Sequence, residues 1–500
     1  MGIVSEQGLR DSTITYLGVL IGAFNVILVY PRFLTPEQLG LYQYLVSTAI
    51  IISPLILLGS SSIVIRYFPM FREKNGNGHD LLLLLLLLPL AGALCLLLLA
   101  AVFGGALGQM FEGKDPLVRT YFPYIIPITL FFSVGMLLLN HSKNFMRFAV
   151  PSLLENTFVK LGSALIAVLL FYQFISLRGF VVSIVIIYAL MMAGQAIYLH
   201  RLGGFRFQLP ARLPDRPLLK EMSVYGLYSI LGSLGATMMT WLDKAMIPLL
   251  IEEKGTTALG IYAIMAYIGT VIDVPKRSLE KITAPLLSQA FIDKDWDKIA
   301  DLYSKTSINQ LIIGLLFFLG IWLNIDDLLR IMPNGHLYAE AKIVVLFLGI
   351  SALLDMITGN NSQIILFSDR YKSYLYILLV LVSLNAFFNY LFIGKLDMYV
   401  SGAALATLLA VGLFNLTKLV FIWIVWKIHP FSLKMLAALL IAAGVYLLTI
   451  FIPWPANPWL GLLTKSAFIT LIYGSGIWLW KLSPDINALV NSLLHKIMRT

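Results

Sequence analysis

Fourteen stretches of roughly 20 apolar residues, separated by short polar breaks, run the length of this 500-residue chain. They lie at about 12–31, 40–60, 81–107, 120–140, 157–174, 179–199, 223–250, 257–274, 306–324, 341–359, 373–394, 399–425, 434–452 and 460–480. Each is long enough to cross a bilayer as a helix. Inside lipid every backbone N–H and C=O needs a partner, so only helices and closed barrels can span. Barrel strands alternate polar and apolar residues, and no long stretch here does so. With 59% hydrophobic and 12% charged residues, against about 25% charged in soluble domains, the chain cannot hide its apolar surface in water. The expected fold class is an all-α polytopic membrane protein.

No small-residue cleavage site follows the first apolar run, so that run is expected to stay as a membrane helix. The single cysteine, Cys95, excludes an internal disulfide framework. No Cys/His cluster points to a metal, and Gly104-Gly105 lacks the context of a phosphate loop, so no cofactor is expected. The net charge of +10 is scattered over short loops, which fits membrane topology better than nucleic-acid binding.

With a cytoplasmic N-terminus, about 24 Lys and Arg fall inside against about 9 outside, with three left in spans. Glu252, Glu253, Asp326, Asp327 and Glu340 then fall outside. Both termini are expected in the cytoplasm, which requires an even number of helices. The break at 200–222, with Pro210, Pro214 and Pro217, reads as a linker between halves. The break at 275–305 carries Trp296, Ile299, Leu302 and Tyr303 among charges and reads as an amphipathic helix on the inner surface. The tail at 481–500 repeats that pattern, with Ser483 and Pro484 as its N-cap and first-turn residues.

The seventh run holds Asp243 and Lys244. A charge inside such a run costs about 2.5–3.5 kcal/mol on insertion scales and normally faces protein or water. Helical steps back from Lys244 give Thr240, Thr237, Ser233 and Ser229, a stripe of hydroxyls ending in an ammonium. Asp243 lies about 100° round, above Met239, Ala236 and Gly232, on a face suited to close helix contact. The stripe is a candidate anion site in a polar cavity; the plainer reading is that Lys244 snorkels to the outer headgroups.

Lys160 shares a face with Asn156 and Ser163, and Lys418 one with Asn415; both stand near the inner surface, where snorkelling competes with a substrate role. Arg66 ends the second run and is either a contact at the inner mouth or a positive-inside anchor. Asp355 shares a face with Ser351, Thr358 and Ser362 and, with Asp243, is a candidate for coupling H⁺ or Na⁺. Asn385 and Asn389 are expected to hydrogen-bond between helices.

Leu39-Gly40-Leu41-Tyr42 opens the second run, and Leu259-Gly260-Ile261-Tyr262 opens the eighth. Six spans per half give both halves the same orientation, an arrangement that places a substrate site between parallel repeats and suggests alternating access. The expected organisation is 1–199 as an N-terminal lobe, 200–222 as a linker and 223–425 as a C-terminal lobe. The two remaining helices follow at 426–480, and the tail at 481–500.

An ordered set of segments runs through the chain: the N-terminal Arg32 to Tyr42, Leu259 to Tyr262, Asp273-Val274-Pro275, Ile282 to Pro285, Asn360, Ser368 to Tyr371, Asn385 to Asn389 and Val400 to Thr407. Together they resemble polysaccharide-biosynthesis flippases of the Wzx type, in the multidrug/oligosaccharidyl-lipid/polysaccharide exporter superfamily. The resemblance runs from about residue 10 to about 480. It implies two six-helix lobes plus two C-terminal helices in a bacterial inner membrane. It also implies translocation of an undecaprenyl-diphosphate-linked oligosaccharide to the outer leaflet, for O-antigen or other surface polysaccharide, beside other polysaccharide-assembly membrane proteins. The membrane lipids are its remaining partners. A cation-exporting multidrug transporter is the rival reading, although Lys160, Lys244 and Lys418 favour an anion. A glycan polymerase is disfavoured, because the outward loops are short and carry no catalytic set, so a non-enzyme is expected.

Overall fold

In a computed structural model of the chain, the described residues are 13–14, 17–75, 79–103, 113–147, 149–204 and 215–497. Among them every regular element is a helix. Twelve are long and apolar enough to cross a membrane. The shorter α1 (Leu17–Phe33) and the less apolar α8 (Arg216–Leu250) bring the spans to fourteen, as the apolar runs predict. The end of the run at 81–107 and much of the linker at 200–222, including Pro210 and Pro214, lie outside the described residues.

The chain divides into two compact units, 1–263 and 264–500. The first contains α2 (Pro36–Leu57), α3 (Ser60–Asn75), α4 (His79–Val102), α5 (Pro116–Lys143), α6 (Ala149–Phe171), α7 (Leu177–Arg201), α8 and the start of α9 (Gly255–Thr270). A capping box starts α2: Thr35 Oγ1 accepts from the Gln38 amide at 3.2 Å, and Gln38 Oε1 accepts from the Thr35 amide at 3.0 Å. Leu81, Leu82 and Leu85 of the octaleucine are buried against Ile63, Val64 and Leu137, so one face of that run is core.

The second span is two helices, not one. Leu58 (φ 48°) and Gly59 (φ 80°) break it, and a Cβ on Gly59 would stand 2.5 Å from the Gly226 backbone of α8. The chain resumes as α3, so Arg66 lies within a helix that continues to Asn75 instead of ending the span. The repeated Leu-Gly-x-Tyr segments touch each other. A Cβ on Gly40 would lie 1.7 Å from the Thr256 carbonyl oxygen, and one on Gly260 would lie 1.8 Å from that of Pro36. Beside this crossing Asp115 caps two helices: Oδ1 accepts from the Leu117 amide at 3.0 Å, and Oδ2 from the Thr256 amide at 3.0 Å and its hydroxyl.

The second unit holds α10 (Val274–Asp293), α11 (Trp296–Trp322), α12 (Ile325–Ile331), α13 (Lys342–Ile357), α14 (Asn361–Phe367), α15 (Tyr371–Lys395), α16 (Tyr399–Trp426), α17 (Leu433–Phe451), α18 (Pro458–Leu479) and α19 (Pro484–Ile497). The region 275–305 is not a separate surface helix. A single 3₁₀ turn, Val271–Asp273, joins α9 to α10 in a 39-residue helical run. Pro275 sits in the first turn of α10, where its missing N–H costs little. Ile299 and Tyr303 are buried in the opening turns of the ninth span, α11.

The two last spans, α17 and α18, pack on α11 through Met435, Ala438, Val445, Ile469 and Tyr473. Asp327 of α12 is 5% exposed and meets Lys465 of α18 at 2.7 Å, fixing the height of that helix. Ser483 caps α19 as expected, accepting from the Ile486 amide at 3.2 Å, with Pro484 at the first turn.

Candidate functional site

Asp355 lies near the end of α13, where three charged side chains from three helices meet. Lys276 of α10 pairs with its Oδ2, and Lys418 of α16 stands 4.0 Å from its Oδ1. Glu280, one turn on from Lys276, approaches that ammonium at 3.5 Å. Lys418 is 1% exposed; its ammonium donates to Ser362 Oγ at 3.0 Å and lies 3.9 Å from the Phe414 ring centroid. Charges in such surroundings persist only when paired and hydrogen-bonded.

Helix breaks place the group. α10 begins at the 3₁₀ turn, one turn before Lys276. α13 stops at Ile357, and Gly359 (φ 55°) turns the chain into α14, where a Cβ would stand 2.1 Å from Ser307 Oγ. The polar groups at this break are tied to neighbours. Asn415 Oδ1 accepts from Thr358 and Asn361 at 3.0 Å each, Asn360 donates to Thr283, and Gln310 donates to Asn360 at 3.2 Å. Backbone irregularity at membrane depth is tolerated where protein satisfies it, as here.

The first unit holds a simpler arrangement on α8. Asp243 accepts from the Tyr262 hydroxyl at 2.9 Å, so the tyrosine of the second repeated segment holds the carboxylate. Lys244 is half-buried, and its ammonium lies 4.5 Å from the Trp241 ring centroid. Among the described residues it has no hydrogen bond or ion pair. The hydroxyl stripe stands beside it: Ser233 and Thr240 are exposed and Thr237 half-buried. Thr237 and Thr240 donate to carbonyls of their own helix at 3.0 and 3.3 Å. Ser229, further along, donates to Ser62 instead.

The remaining residues singled out by sequence do not converge on Lys244. Arg66 lies over the Tyr225 ring at 4.3 Å and 4.0 Å from Glu221, to which Tyr67 donates at 2.9 Å. Tyr225 and Lys244 are about 28 Å apart along α8 at 1.5 Å per residue. Lys160 donates to the Gly18 carbonyl at 2.8 Å, and Asn25 donates to the Lys160 carbonyl at 2.8 Å, so both tie α1 to α6. Asn385 donates to Thr407 of α16 at 3.4 Å, the interhelical bond expected, while Asn389 donates to the Asn385 carbonyl one turn back at 3.0 Å. Sequence reasoning missed Lys276 and Glu280. The signal was Pro275, which opens a helix as readily as it ends one.

A multi-span helical protein with cations and carboxylates held within its spans, at helix breaks, has the architecture of a membrane transporter. The chain belongs to the polysaccharide biosynthesis protein family, whose model matches residues 9–290. The MatE family model matches residues 229–391. Among solved structures, the lipid II flippase MurJ in an inward closed conformation superposes with a TM-score of 0.73 at 14% identity, covering 94% of this chain and 98% of that one. An inward-facing multidrug resistance MATE family transporter of the MOP superfamily gives 0.59 at 14% identity, covering 84% and 98%. A MOP superfamily transporter from Pyrococcus furiosus gives 0.55 at 12% identity, covering 85% and 95%. No curated protein matches the chain.

Proposed function

We propose that the chain is a flippase that carries an undecaprenyl-diphosphate-linked oligosaccharide from the cytoplasmic to the outer leaflet of a bacterial inner membrane, by alternating access, for surface polysaccharide such as O-antigen. The observation that carries this reading is Lys244, an ammonium in a membrane helix that lies over the Trp241 ring, beside Asp243, and makes no hydrogen bond or ion pair among the described residues. An anion is the ligand such a group lacks. The exposed Ser233 and Thr240 hydroxyls extend the contact toward a diphosphate or sugar. Membership of the polysaccharide biosynthesis family supports the same substrate class.

Lys160, Arg66 and Lys418 take lesser parts. Lys160 and Lys418 already serve protein acceptors and contact substrate only if these are released. Arg66 is exposed and meets the diphosphate at the inner mouth by exchanging its long contact with Glu221. Asp355, between Lys276 and Lys418, and Asp243, beside Tyr262, are the coupling groups for H⁺ or Na⁺. Reconstituted protein should expose a fluorescent diphosphate-linked oligosaccharide lipid to an external quencher, and Lys244→Ala should lower that activity about tenfold or more while still inserting. Efflux of an organic cation dye with no lipid movement would replace this reading by the multidrug one.

A further inference from the structure

The second unit carries a cavity of about 540 Å³ at the ends of its helices, away from the Asp355 cluster. Three stretches distant in sequence wall it: the end of α10, the α14–α15 turn and the end of α16. Two walls are indoles. Trp296 and Trp426 stack with centroids 6.4 Å apart and planes 25° apart, braced by Phe291 edge-on at 5.8 and 6.4 Å. Lys294 and Arg370 stand at the rim with Asp369. Among the described residues neither cation has an ion-pair or side-chain hydrogen-bond partner.

The backbone presenting these cations is fixed. Lys294 ends α10 in the left-handed conformation (φ 56°), and its amide donates to Phe291 O at 3.3 Å. Arg370 follows the buried Ser368, whose hydroxyl accepts from the Arg370 amide at 3.1 Å and donates to Ile365 O at 2.8 Å. Tryptophans and basic residues at the ends of spans often serve only as interfacial anchors. Here they line one concavity of the size that holds a small ligand.

Depth and sign identify the ligand. α11 begins at Trp296 and α16 ends at Trp426; with 27 and 28 residues they are about 40 Å long, enough to reach from one headgroup zone into the other. The charge count assigns this end to the cytoplasm, where anionic lipids meet basic pockets between helices. We propose that this cavity binds the phosphate headgroup of an anionic phospholipid from the inner leaflet, its phosphate between Lys294 and Arg370 and its glycerol against the indoles.

The test is native mass spectrometry of the purified full-length protein titrated with phosphatidylglycerol and with phosphatidylcholine. The protein should retain phosphatidylglycerol preferentially, and Lys294→Ala/Arg370→Ala should weaken that retention about 30-fold, two basic groups acting together. Lys281→Ala/Lys298→Ala removes the same charge from exposed positions outside the cavity and should leave retention unchanged. Equal loss in both double variants, or no preference in the parent, overturns the proposal. Displacement of the lipid by inorganic phosphate at the same concentration would make this a site for a soluble anion and overturn it too. Because the readout is binding, a chain that retains the lipid but flips nothing would defeat the flippase reading alone.

Discussion

Gly40 and Gly260 bring two helix backbones into direct contact, each standing where a carbonyl of the other helix leaves no room for a Cβ. Gly40→Ala or Gly260→Ala must force α2 and α9 apart. Each should cost about 1–3 kcal/mol or more as overpacking. Gly232→Ala, a helical position with nothing within 4 Å of the added atom, should be neutral or stabilising by up to about 1 kcal/mol. Thermal unfolding in detergent, compared across the three variants, checks this; equal melting points would mean that the contact is not needed.

Asp355 is shared by two ammonium groups, so changes around it should be unequal. Asp355→Asn leaves Lys418 without a counter-charge, facing a Lys276 that keeps only Glu280, and should cost about 3–5 kcal/mol. Asp355→Asn with Lys418→Met should recover part of that loss, because Lys276 keeps Glu280. Melting temperatures test the stability order. Transport measured across pH and Na⁺ tests coupling, and an unchanged dependence in Asp355→Asn removes it from that role.

Lys244→Ala deletes the ammonium and should lower flipping about tenfold or more, in line with a hydrogen bond to a charged group. Lys244→Arg keeps the charge over Trp241 and should retain most activity. Surface glycan in cells carrying each variant, with membrane levels measured alongside, gives the result. Normal glycan in Lys244→Ala excludes it as a substrate contact.

Asp327 and Lys465 join α12 to α18 in a pair whose side chains are 6% and 15% exposed. Lys465→Met strands the carboxylate, with only Arg330 at 3.9 Å, and should cost about 3 kcal/mol. Asp327→Asn with Lys465→Met should cost less than Lys465→Met alone. Limited proteolysis around residues 452–458 should report loosening of α18 in the single variant, and equal cleavage rates would count against the pair as its anchor.

The spans were readable in sequence because lipid demands uninterrupted apolar runs, and those runs mark fourteen helices whatever their neighbours. Breaks within spans were less readable. Leu58-Gly59 and Thr358-Gly359-Asn360 sit inside or beside apolar sequence, and the need for positive φ arises from helices packing alongside. Lys276 stands close to Arg277 and Lys281 in sequence, and only its partner on α13 distinguishes it from them. Gly40 and Gly260 were visible as a repeat, but that the two copies touch is a tertiary fact. Asp243 and Lys244 separated as helical geometry requires, one taken by Tyr262 and the other set over Trp241.

The break at Leu58-Gly59 gives the second span the mechanics of a lever. One arm, α2, is held at the Gly40 crossing, whereas the other, α3, joins it through two residues with positive φ. Arg66 rides about 10 Å down that arm, so a swing of about 20° at the joint would carry its guanidinium about 4 Å without unwinding a turn of helix. Such a swing would leave α2 and α3 each intact as a helix and confine the torsional change to two residues.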